Sequence, residues 1–332
     1  MIPKLAARMI VVLAATLLLS ACVARDNRPS IEALERAAVL APEAELDDRI
    51  RQAPPYLPVG PPRRLRLPML PGDVPIVQGR INGIAMPLLL DTGTSHVVMS
   101  GPAASATGLY LPKGNTISLV TPGYDARFRS GAPRTISLGD MQFSGGIAIV
   151  PERENRHMRR LGLRSERHAA VGSSVLSNFR VTFDFGRREV ILEPSGAPPF
   201  TGVLWTKVAI DGEDCLMLLD SGANGIFIEP SFARKLGLID AKEAQRHSRK
   251  AATVGSAPLS LVHLGRLEIQ GRAFRGLSAQ VINLVDGSVS GGLPHAGLLG
   301  FAALGPHRWQ VDCPNKLTLL SAPAPTTLTT DH

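Results

Sequence analysis

The sequence lacks several features that mark whole classes of protein. Aromatic residues make up 5% of the 332 residues, so the stacking platforms that bind single-stranded nucleic acid have little material. After residue 25 no stretch reaches the ~18 consecutive apolar residues that a membrane-spanning helix needs. The chain has no glycine-rich phosphate loop with Lys and no Gly-X-Ser-X-Gly, and its eight histidines lack metal-ligand spacing. We therefore expect no nucleic acid, no metal and no cofactor.

What the sequence has in abundance is apolar residues, glycine and proline. Apolar residues make up 44% of the chain, which suits a packed globule, and the length is enough for about two domains. The 32 glycines and 27 prolines are spread through the chain and favour many short strands and turns over long helices. A mainly β protein is the expectation.

The amino terminus has the pattern of a targeting segment. Two basic residues precede an apolar run at residues 9–19, which is typical of a secretory signal. Residues 19–22, Leu-Ser-Ala-Cys, resemble the lipobox of bacterial lipoproteins, which implies a signal peptide at 1–21 and a lipid on Cys22. Val23 stands where lipoproteins kept in the inner membrane commonly carry Asp, so the resemblance favours the outer membrane, facing the periplasm. The alternative is an ordinary signal peptide with an incidental cysteine.

Three further segments leave alternatives open. Residues 22–72 are rich in proline and charge and predict a partly helical tether, of which residues 31–51 are long enough to occlude a cleft. Six arginines at 153–167 form either a solvated surface loop, the favoured interpretation, or a basic face for anionic lipid. Cys215 and Cys313 can pair in an oxidising compartment, or remain two buried thiols. Residues 322–332 predict a flexible tail.

An internal duplication organises the rest of the chain. Three segments match three later ones at an offset of 129: 81–83 with 210–212, 89–93 with 218–222, and 108–109 with 237–238. Further matches pair 136–139 with 262–265 at offset 126, and 171–172 with 299–300 and 181–184 with 309–312 at offset 128. Such a repeat predicts two similar lobes, residues 73–195 and 202–321, joined by a linker at 194–201.

Each lobe predicts the same mostly β structure. Asn-Gly at 82–83 and Asp-Gly at 211–212 are hairpin signals between apolar runs. Short helices are expected at 102–108 and 230–237, and a second hairpin at 181–192 and 309–320. Trp205 and Trp309 lie on predicted strands and are expected in the core.

An Asp-X-Gly tripeptide follows an apolar run in each lobe. Three leucines precede Asp91, and Met-Leu-Leu precedes Asp220, so each carboxyl group follows a buried strand where apolar surroundings disfavour its charge. The glycine at the third position of each tripeptide permits a sharp turn. One such tripeptide is an ordinary turn, but two at matched positions of a duplication indicate a shared site.

These residues resemble the aspartic proteases of the pepsin and retropepsin superfamily. Residues 91–95, Asp-Thr-Gly-Thr-Ser, are similar to that family's first active-site loop, and residues 220–223, Asp-Ser-Gly-Ala, to its retropepsin-like form. The hydrophobic-hydrophobic-Gly element that braces each loop is clear at 298–300, Leu-Leu-Gly, and weaker at 170–172, Ala-Val-Gly. The resemblance implies a mainly β, bilobal fold with two similar barrel-like lobes and short helices, pepsin-like in being one chain but with retropepsin-sized lobes.

The resemblance also implies roles for individual residues. Asp91 and Asp220 are implied as the catalytic pair, activating a water for peptide-bond hydrolysis, with five supporting residues: Thr92, Gly93, Thr94, Ser221 and Gly222. Thr92 and Ser221 are implied to bond across to the opposite loop. Residues 116–135 are the expected flap, in which Tyr124 is either the flap tyrosine or an exposed loop residue. His96, in a His-Val-Val-Met run, is expected to be an ordinary strand residue.

Two expectations concern protonation and function. A hydroxyl hydrogen bond from Thr94 to Asp91, with no counterpart at Ala223, is expected to leave Asp91 ionised and the shared proton on Asp220. The function expected is an aspartic endopeptidase that cleaves peptides or proteins as a monomer, held at the envelope by Cys22. The alternatives are a retropepsin-like module without turnover that binds peptides or a partner, which the weak brace at Ala170 favours, and lobes that become active only in a dimer.

Overall fold

The computed structural model describes residues 53–113, 116–121, 124–152, 167–247, 260–283, 289–290, 293–304, 308–312 and 316–319. The signal peptide, Cys22, most of the arginine-rich segment, Cys313 and the tail lie outside these residues. Among the helices of the described part of the chain, none is long and apolar enough to cross a bilayer.

Thirteen strands lie in the first part of the described chain: β1 Leu57–Pro58, β2 Leu65–Pro68, β3 Ile76–Ile81, β4 Ile84–Leu90, β5 Val97–Met99, β6 Thr116–Thr121, β7 Tyr124–Gly131, β8 Ile136–Leu138, β9 Met141–Ser144, β10 Ala148–Pro151, β11 Ala169–Val171, β12 Phe179–Asp184 and β13 Glu189–Pro194. Eleven follow: β14 Trp205–Ile210, β15 Glu213–Asp220, β16 Ile226–Ile228, β17 Ser260–Leu264, β18 Leu267–Ile269, β19 Arg272–Phe274, β20 Leu277–Val281, β21 Val289–Ser290, β22 Leu293–Gly300, β23 Arg308–Asp312 and β24 Lys316–Leu319. The helices of the described residues are short: α1 Gly101–Ala106, α2 Ser173–Leu176, α3 Pro230–Lys235, α4 Ala241–His247 and a 3₁₀ turn Phe301–Leu304.

The two lobes repeat one sheet topology. The first lobe is a ten-stranded sheet in the order β1-β9-β8-β3-β4-β11-β5-β10-β7-β6. The second, read from its other edge, runs β19-β18-β14-β15-β22-β16-β20-β17, and β21 pairs with β22. Strand for strand this is the same order, and the described residues of the second lobe contain no counterparts of β1 and β6. The protein is mainly β and bilobal, as the sequence predicts.

Local sequence explains why the equivalent elements begin and end alike. Asn82 and Gly83, and Asp211 and Gly212, all have positive φ, the backbone that a two-residue hairpin turn needs. A proline near the start of both α1 and α3 suits the first helical turn, where its missing N–H costs nothing. Both predicted hairpins and both predicted short helices are therefore present.

One predicted match between the lobes is wrong. The sequence matches residues 136–139 with 262–265, because both segments end in Leu-Gly. In the structure β8 pairs with β3, and the strand that pairs with the equivalent β14 is β18, not β17. The partner of Ile136–Leu138 is therefore Leu267–Ile269, whose sequence has diverged from it.

A third sheet joins the lobes. Its five strands run β2-β13-β12-β23-β24, so the second hairpin of each lobe contributes two neighbouring strands. Thr182 is paired with Gln310, its equivalent at offset 128, and the Gln310 amide donates to the Thr182 hydroxyl at 3.1 Å. The pseudo-twofold axis of the molecule therefore passes between these two residues.

Part of the expected tether is built into the sheets. The sequence assigns residues 22–72 to the tether. Within this range, however, β1 pairs with β9 and β2 pairs with β13. Tyr56 is fully buried, and its carbonyl accepts a hydrogen bond from the Asn178 amide at 2.8 Å. The chain from Ala53 onward therefore belongs structurally to the first lobe, because its alternating apolar residues pack on the core.

The main core is shared by both lobes around the joining sheet. Trp309 is fully buried, with its ring stacked 5.0 Å from that of Phe301 and 6.4 Å from that of Phe274. This confirms the core position predicted for Trp309. Trp205 is different, because it is only partly buried at the start of β14 and belongs to neither core cluster.

Replacing Trp309 by Ala tests this shared core. The change removes a fully buried indole from the sheet that both lobes build, so the free energy of unfolding should fall by about 3–5 kcal/mol. Urea unfolding followed by circular dichroism measures it. Tyr110→Ala, at a side chain that is 78% exposed, is the control and should change stability by less than about 0.5 kcal/mol. An equal loss in both variants would contradict the shared core.

Candidate active site

The two Asp-X-Gly loops meet between the lobes. Each loop leaves the end of a strand, β4 or β15, that is held between two neighbours in the middle of its sheet. The Asp91 N–H donates to the Val171 carbonyl at 3.0 Å. The backbone therefore leaves the strand only after Asp91, and the sheet fixes the position of this residue. The backbone of Asp220 is paired in the same way with Gly300 on β22. Both aspartates are partly exposed.

The loop glycines allow the two carboxyl groups to meet. A Cβ atom at Gly93 would lie 2.5 Å from Cγ of Asp220, and one at Gly222 would lie 2.7 Å from Cγ of Asp91. Any side chain at either position would therefore collide with the opposite carboxyl group. With glycine at both positions, the carboxyl groups of Asp91 and Asp220 come within hydrogen-bond contact of each other.

Thr92 and Ser221 lock the loops together through four reciprocal hydrogen bonds. The Thr92 N–H donates to Oγ of Ser221 at 3.0 Å, and the Ser221 N–H donates to Oγ1 of Thr92 at 3.0 Å. The hydroxyl of Thr92 donates to the Leu219 carbonyl at 2.9 Å, and that of Ser221 to the Leu90 carbonyl at 2.7 Å. Both side chains are 1% exposed, so these bonds form without competing water. The expected cross-loop bonding is present.

A second glycine in each lobe braces its loop from behind. A Cβ at Gly172 would lie 2.3 Å from the Thr94 carbonyl oxygen, and one at Gly300 would lie 2.4 Å from the Ala223 carbonyl oxygen. Each glycine N–H also donates into its loop, Gly172 to His96 at 3.1 Å and Gly300 to Gly225 at 3.0 Å. These close approaches explain why both hydrophobic-hydrophobic elements end in glycine.

The weaker brace is nevertheless fully packed. Ala170 is 2% exposed and lies in a small apolar cluster with Val74, Ile76 and Leu89. Neighbouring side chains thus fill the space that a larger residue would take, and alanine at this position does not loosen the loop. The sequence argument that counted Ala170 against a working site loses its basis.

Ser173 is a supporting residue that sequence reasoning missed. Its hydroxyl accepts a hydrogen bond from the Gly202 N–H at 3.0 Å and faces two carbonyl oxygens as a donor, that of Gly202 and that of Ser95 at 3.3 Å. Its own N–H donates to the Thr94 carbonyl at 3.0 Å. It therefore ties the first loop to the start of the second lobe. No sequence motif marks this role, although Ser173 directly follows the bracing Gly172.

Burial and proximity govern the protonation of the pair. Burial raises the pKa of Asp91 and raises the pKa of Asp220 well above its ordinary value, because the surrounding protein leaves the charged forms of both carboxyl groups poorly solvated. The charge of Asp91 raises the pKa of Asp220 further. Two like charges in hydrogen-bond contact disfavour double ionisation, so the pair titrates as a unit and retains one shared proton.

The expected cause of the asymmetry is wrong, although its direction agrees. The Thr94 hydroxyl makes no hydrogen bond to Asp91; instead the N–H of Gly93 donates to Oδ1 of Asp91 at 2.8 Å. Asp220 receives the equivalent bond from the Gly222 N–H at 2.8 Å, and the Ala223 N–H also faces it. Backbone N–H groups rather than a hydroxyl thus surround both carboxyl groups.

The expected flap is a hairpin at the edge of the first lobe. β6 pairs with β7 along its whole length, from Thr116 opposite Arg129 to Thr121 opposite Tyr124. Its two turn residues lie outside the described residues, as do residues 248–259, which precede β17, the equivalent of β7 in the second lobe. The role of Tyr124 in a flap stays a prediction.

His96 lies just before β5 and is 2% exposed, which fits a structural residue and excludes access to a substrate. Burial lowers its pKa to about 4, because the apolar surroundings disfavour the charged imidazolium. In the described residues, no group of three or more His, Cys, Asp or Glu side chains could hold a metal ion.

Two similar β lobes that each deliver one Asp-X-Gly loop to a shared carboxyl pair define the class of aspartic-dyad proteins. A family model described as "Aspartyl protease" matches the chain twice, at residues 77–175 and 206–303, which is more than half of it. The chain belongs to the aspartyl protease family. The two matches coincide with the two lobes.

Solved structures that resemble the chain include a retropepsin-like aspartic protease. A crystal structure of a retropepsin-like aspartic protease from Rickettsia conorii is 14% identical, covers 41% of this chain and 92% of its own, and superposes with a TM-score of 0.27. The family assignment does not depend on this likeness. A search of curated proteins finds no match.

Ser221→Ala tests the lock between the loops. The change leaves the Thr92 N–H and the Leu90 carbonyl buried without these partners, so the free energy of unfolding should fall by about 1–3 kcal/mol. Urea unfolding measures the loss. Ser221→Thr, which places the first lobe's own residue in the second, keeps the hydroxyl and should recover most of the stability. Equal stability of the Ala variant and the wild type would show that the lock contributes nothing.

His96 should limit stability in acid. Its pKa of about 4 lies below the ordinary 6.5, so its contribution is complete above pH 6.5 and is lost as pH falls towards 4. In His96→Leu the fall of unfolding free energy over this range should be shallower by up to about 1.4 kcal/mol per pH unit. Urea unfolding at several pH values measures the slope, and the comparison at pH 8 gives the substitution's own cost. Parallel curves would contradict a buried neutral imidazole.

Proposed function

We propose that the protein is an aspartic endopeptidase whose catalytic pair is Asp91 and Asp220. The observation that supports this most directly is the contact between the two carboxyl groups across the seam of the lobes, each beside the other loop's glycine. Membership in the aspartyl protease family supports a protease-type function, and the pair supplies the chemistry for it. Aspartic proteases are the standard illustration of two carboxyl groups that share one proton.

The chemistry proceeds without a covalent intermediate. A water between the two groups gives a proton to the ionised carboxylate, Asp91, as its oxygen attacks the carbonyl carbon of the peptide bond. Asp220, protonated, donates a hydrogen bond to the carbonyl oxygen as that oxygen gains negative charge. Collapse of the tetrahedral intermediate breaks the C–N bond while the departing nitrogen takes the proton that Asp91 received from the water. This leaves a carboxyl and an amine product and returns Asp91 to its ionised state. The reaction therefore needs one ionised and one protonated carboxyl group.

The rival without turnover has no structural support in the described residues. Both carboxyl groups are in contact, both loops are locked and braced, and Ala170 is closely packed. Because a single chain supplies both aspartates, the site is complete in a monomer, and peptide or protein substrate is the only partner that the proposed chemistry requires.

Asp91→Asn and Asp220→Asn test the pair. Each change keeps the shape of the side chain but removes an ionisable group, so hydrolysis of a mixed peptide library between pH 4 and pH 7 should fall at least about a thousandfold. Mass spectrometry of the products measures it, and a pepstatin-type inhibitor should block the wild type. Asp140→Asn, at a side chain that is 64% exposed, is the matched control and should cleave normally. Cleavage that survives both substitutions would refute the pair.

We also propose that the mature chain begins at a lipid-modified Cys22 in the bacterial envelope. The support is the sequence alone, residues 19–22, because these residues lie outside the described part. A diacylated or triacylated terminus holds a protein at a membrane durably, since each buried methylene adds about 0.8 kcal/mol. Val23 favours the outer membrane.

Cys22→Ser tests the anchor. The wild-type chain, expressed in a bacterial host with labelled palmitate, should carry the label and sediment with membranes, whereas the variant should do neither. Label that persists in the variant, or wild-type protein without label, would contradict lipidation at Cys22. The carboxyl pair is untouched by this change, so the outcome is independent of catalysis.

A further inference from the structure

The end of the expected tether reaches the back of the first active-site loop. Tyr56 is fully buried, and its N–H donates to the Ser174 carbonyl at 2.8 Å, while its own carbonyl accepts from the Asn178 amide at 2.8 Å. Ser174 lies in α2, the short helix that follows the bracing Gly172, and Asn178 lies just after it. Both polar backbone groups of Tyr56 therefore fasten the end of the tether to α2 and the residues that follow it.

The helix α2 in turn holds the loop that carries Asp91. The N–H groups of three consecutive residues donate to the carbonyls of three consecutive loop residues: Gly172 to His96 at 3.1 Å, Ser173 to Thr94 at 3.0 Å and Ser174 to Ser95 at 2.9 Å. These are N–H groups that a helix leaves unpaired at its start. A movement of α2 is thus passed to the loop, whose first residue is Asp91.

The second lobe supports its loop in a different way. The equivalent of α2 is the 3₁₀ turn Phe301–Leu304, and Phe301 is fully buried, with its ring 5.0 Å from that of Trp309 and 5.6 Å from that of Phe183. The first lobe has Ser173 at the position of Phe301. A serine cannot anchor α2 by packing in this way, so hydrogen bonds from other parts of the chain, including those of Tyr56, hold the helix instead.

The ring of Tyr56 keeps the end of the tether in place. A Cβ atom at Gly146, between β9 and β10, would lie 2.3 Å from Cδ2 and 2.4 Å from Cε2 of the ring, so the ring rests directly on the backbone of Gly146. The Tyr56 hydroxyl, in contrast, has no hydrogen-bond partner among the described residues. The packing of the ring, rather than its hydroxyl, therefore keeps Tyr56 docked.

We infer that Tyr56 is a positioning residue of the proposed peptidase: docked on Gly146, it holds α2 and thereby keeps the Asp91 loop facing the Asp220 loop. The inference rests on the proposed function where it concerns the reaction rate, whereas the position of the loop does not depend on a substrate. Tyr56 is fully buried and cannot touch a peptide, so its effect falls on kcat and not on substrate binding. The residues that end the tether thus support the catalytic site in addition to connecting it to the amino terminus.

Displacing the ring tests the inference. Tyr56→Ala removes the ring, and Gly146→Ala places a methyl group where the ring lies, so both changes should undock the segment. In each variant, kcat on peptides that the wild type cleaves should fall about ten- to a hundredfold, with KM unchanged within about threefold, because a small misplacement of a catalytic group is costly. Tyr56→Phe keeps the ring and should keep the rate. Ile269→Ala, at a buried position of β18 in the second lobe, is the control for loss of stability alone and should also keep kcat.

The titration of the carboxyl pair gives a second measurement, which needs no turnover. When the loop is released, the two carboxyl groups separate and gain water, and both changes lower the pKa at which the pair gives up its shared proton. In carbon NMR of labelled aspartate carboxyl groups, this step should occur at lower pH in Gly146→Ala than in the wild type. The basic limb of the kcat profile should shift in the same direction. Asp220→Asn removes one partner and so identifies the signals of the pair.

The outcomes separate this inference from the proposed function. A wild type that cleaves no peptide, together with a titration step that shifts in Gly146→Ala, would refute the peptidase and support the positioning role. Folded Tyr56→Ala and Gly146→Ala variants with the kcat and the titration step of the wild type would overturn the inference. An equal loss of kcat in Ile269→Ala or in Tyr56→Phe would also overturn it, because general stability or the hydroxyl would then be the cause.

Discussion

The structure depends on a contact that two carboxyl groups would avoid if they were free. Asp91 and Asp220 repel each other when both are ionised, and burial raises the cost of either charge. Their contact persists because the loops that carry them are held by other bonds: the reciprocal hydroxyl and N–H contacts of Thr92 and Ser221, and the glycines that admit the opposite carboxyl. Neutral, buried groups thus hold the two carboxyl groups together. Because two negative charges in contact repel each other, the pair keeps one shared proton.

The duplication supplies one aspartate loop from each of two similar lobes, and the lobes have since diverged in sequence. Equivalent strands recur in the same order in both lobes, and Thr182 and Gln310 face each other at the axis. The two loops match at Asp-X-Gly and at the bracing glycines, where a Cβ atom would collide with a neighbouring group. At other positions near the loops the equivalent residues differ: Ala170 and Val98 in the first lobe correspond to Leu298 and Phe227 in the second.

Sequence reasoning reached the parts of the fold that depend on short, local patterns. The hairpin turns and the short helices after each loop follow from glycine and proline, which act within a few residues, and the carboxyl pair follows from the repeat at offset 129. It failed where long-range packing decides. The equivalence of β8 to β18 and the inclusion of β2 in the joining sheet depend on neighbours far along the chain. The role of Ser173 likewise depends on its contact with Gly202, which no sequence pattern indicates.

The central claim is that Asp91 and Asp220 hold one proton between them. Neutron diffraction from a deuterated crystal grown near pH 5 tests it most directly, because it locates the deuterium itself. The account predicts the two carboxyl groups within hydrogen-bond distance and a single deuteron on the pair, on the side of Asp220. Two bare carboxylates, two protonated carboxyl groups, or side chains separated beyond hydrogen-bond reach would contradict it.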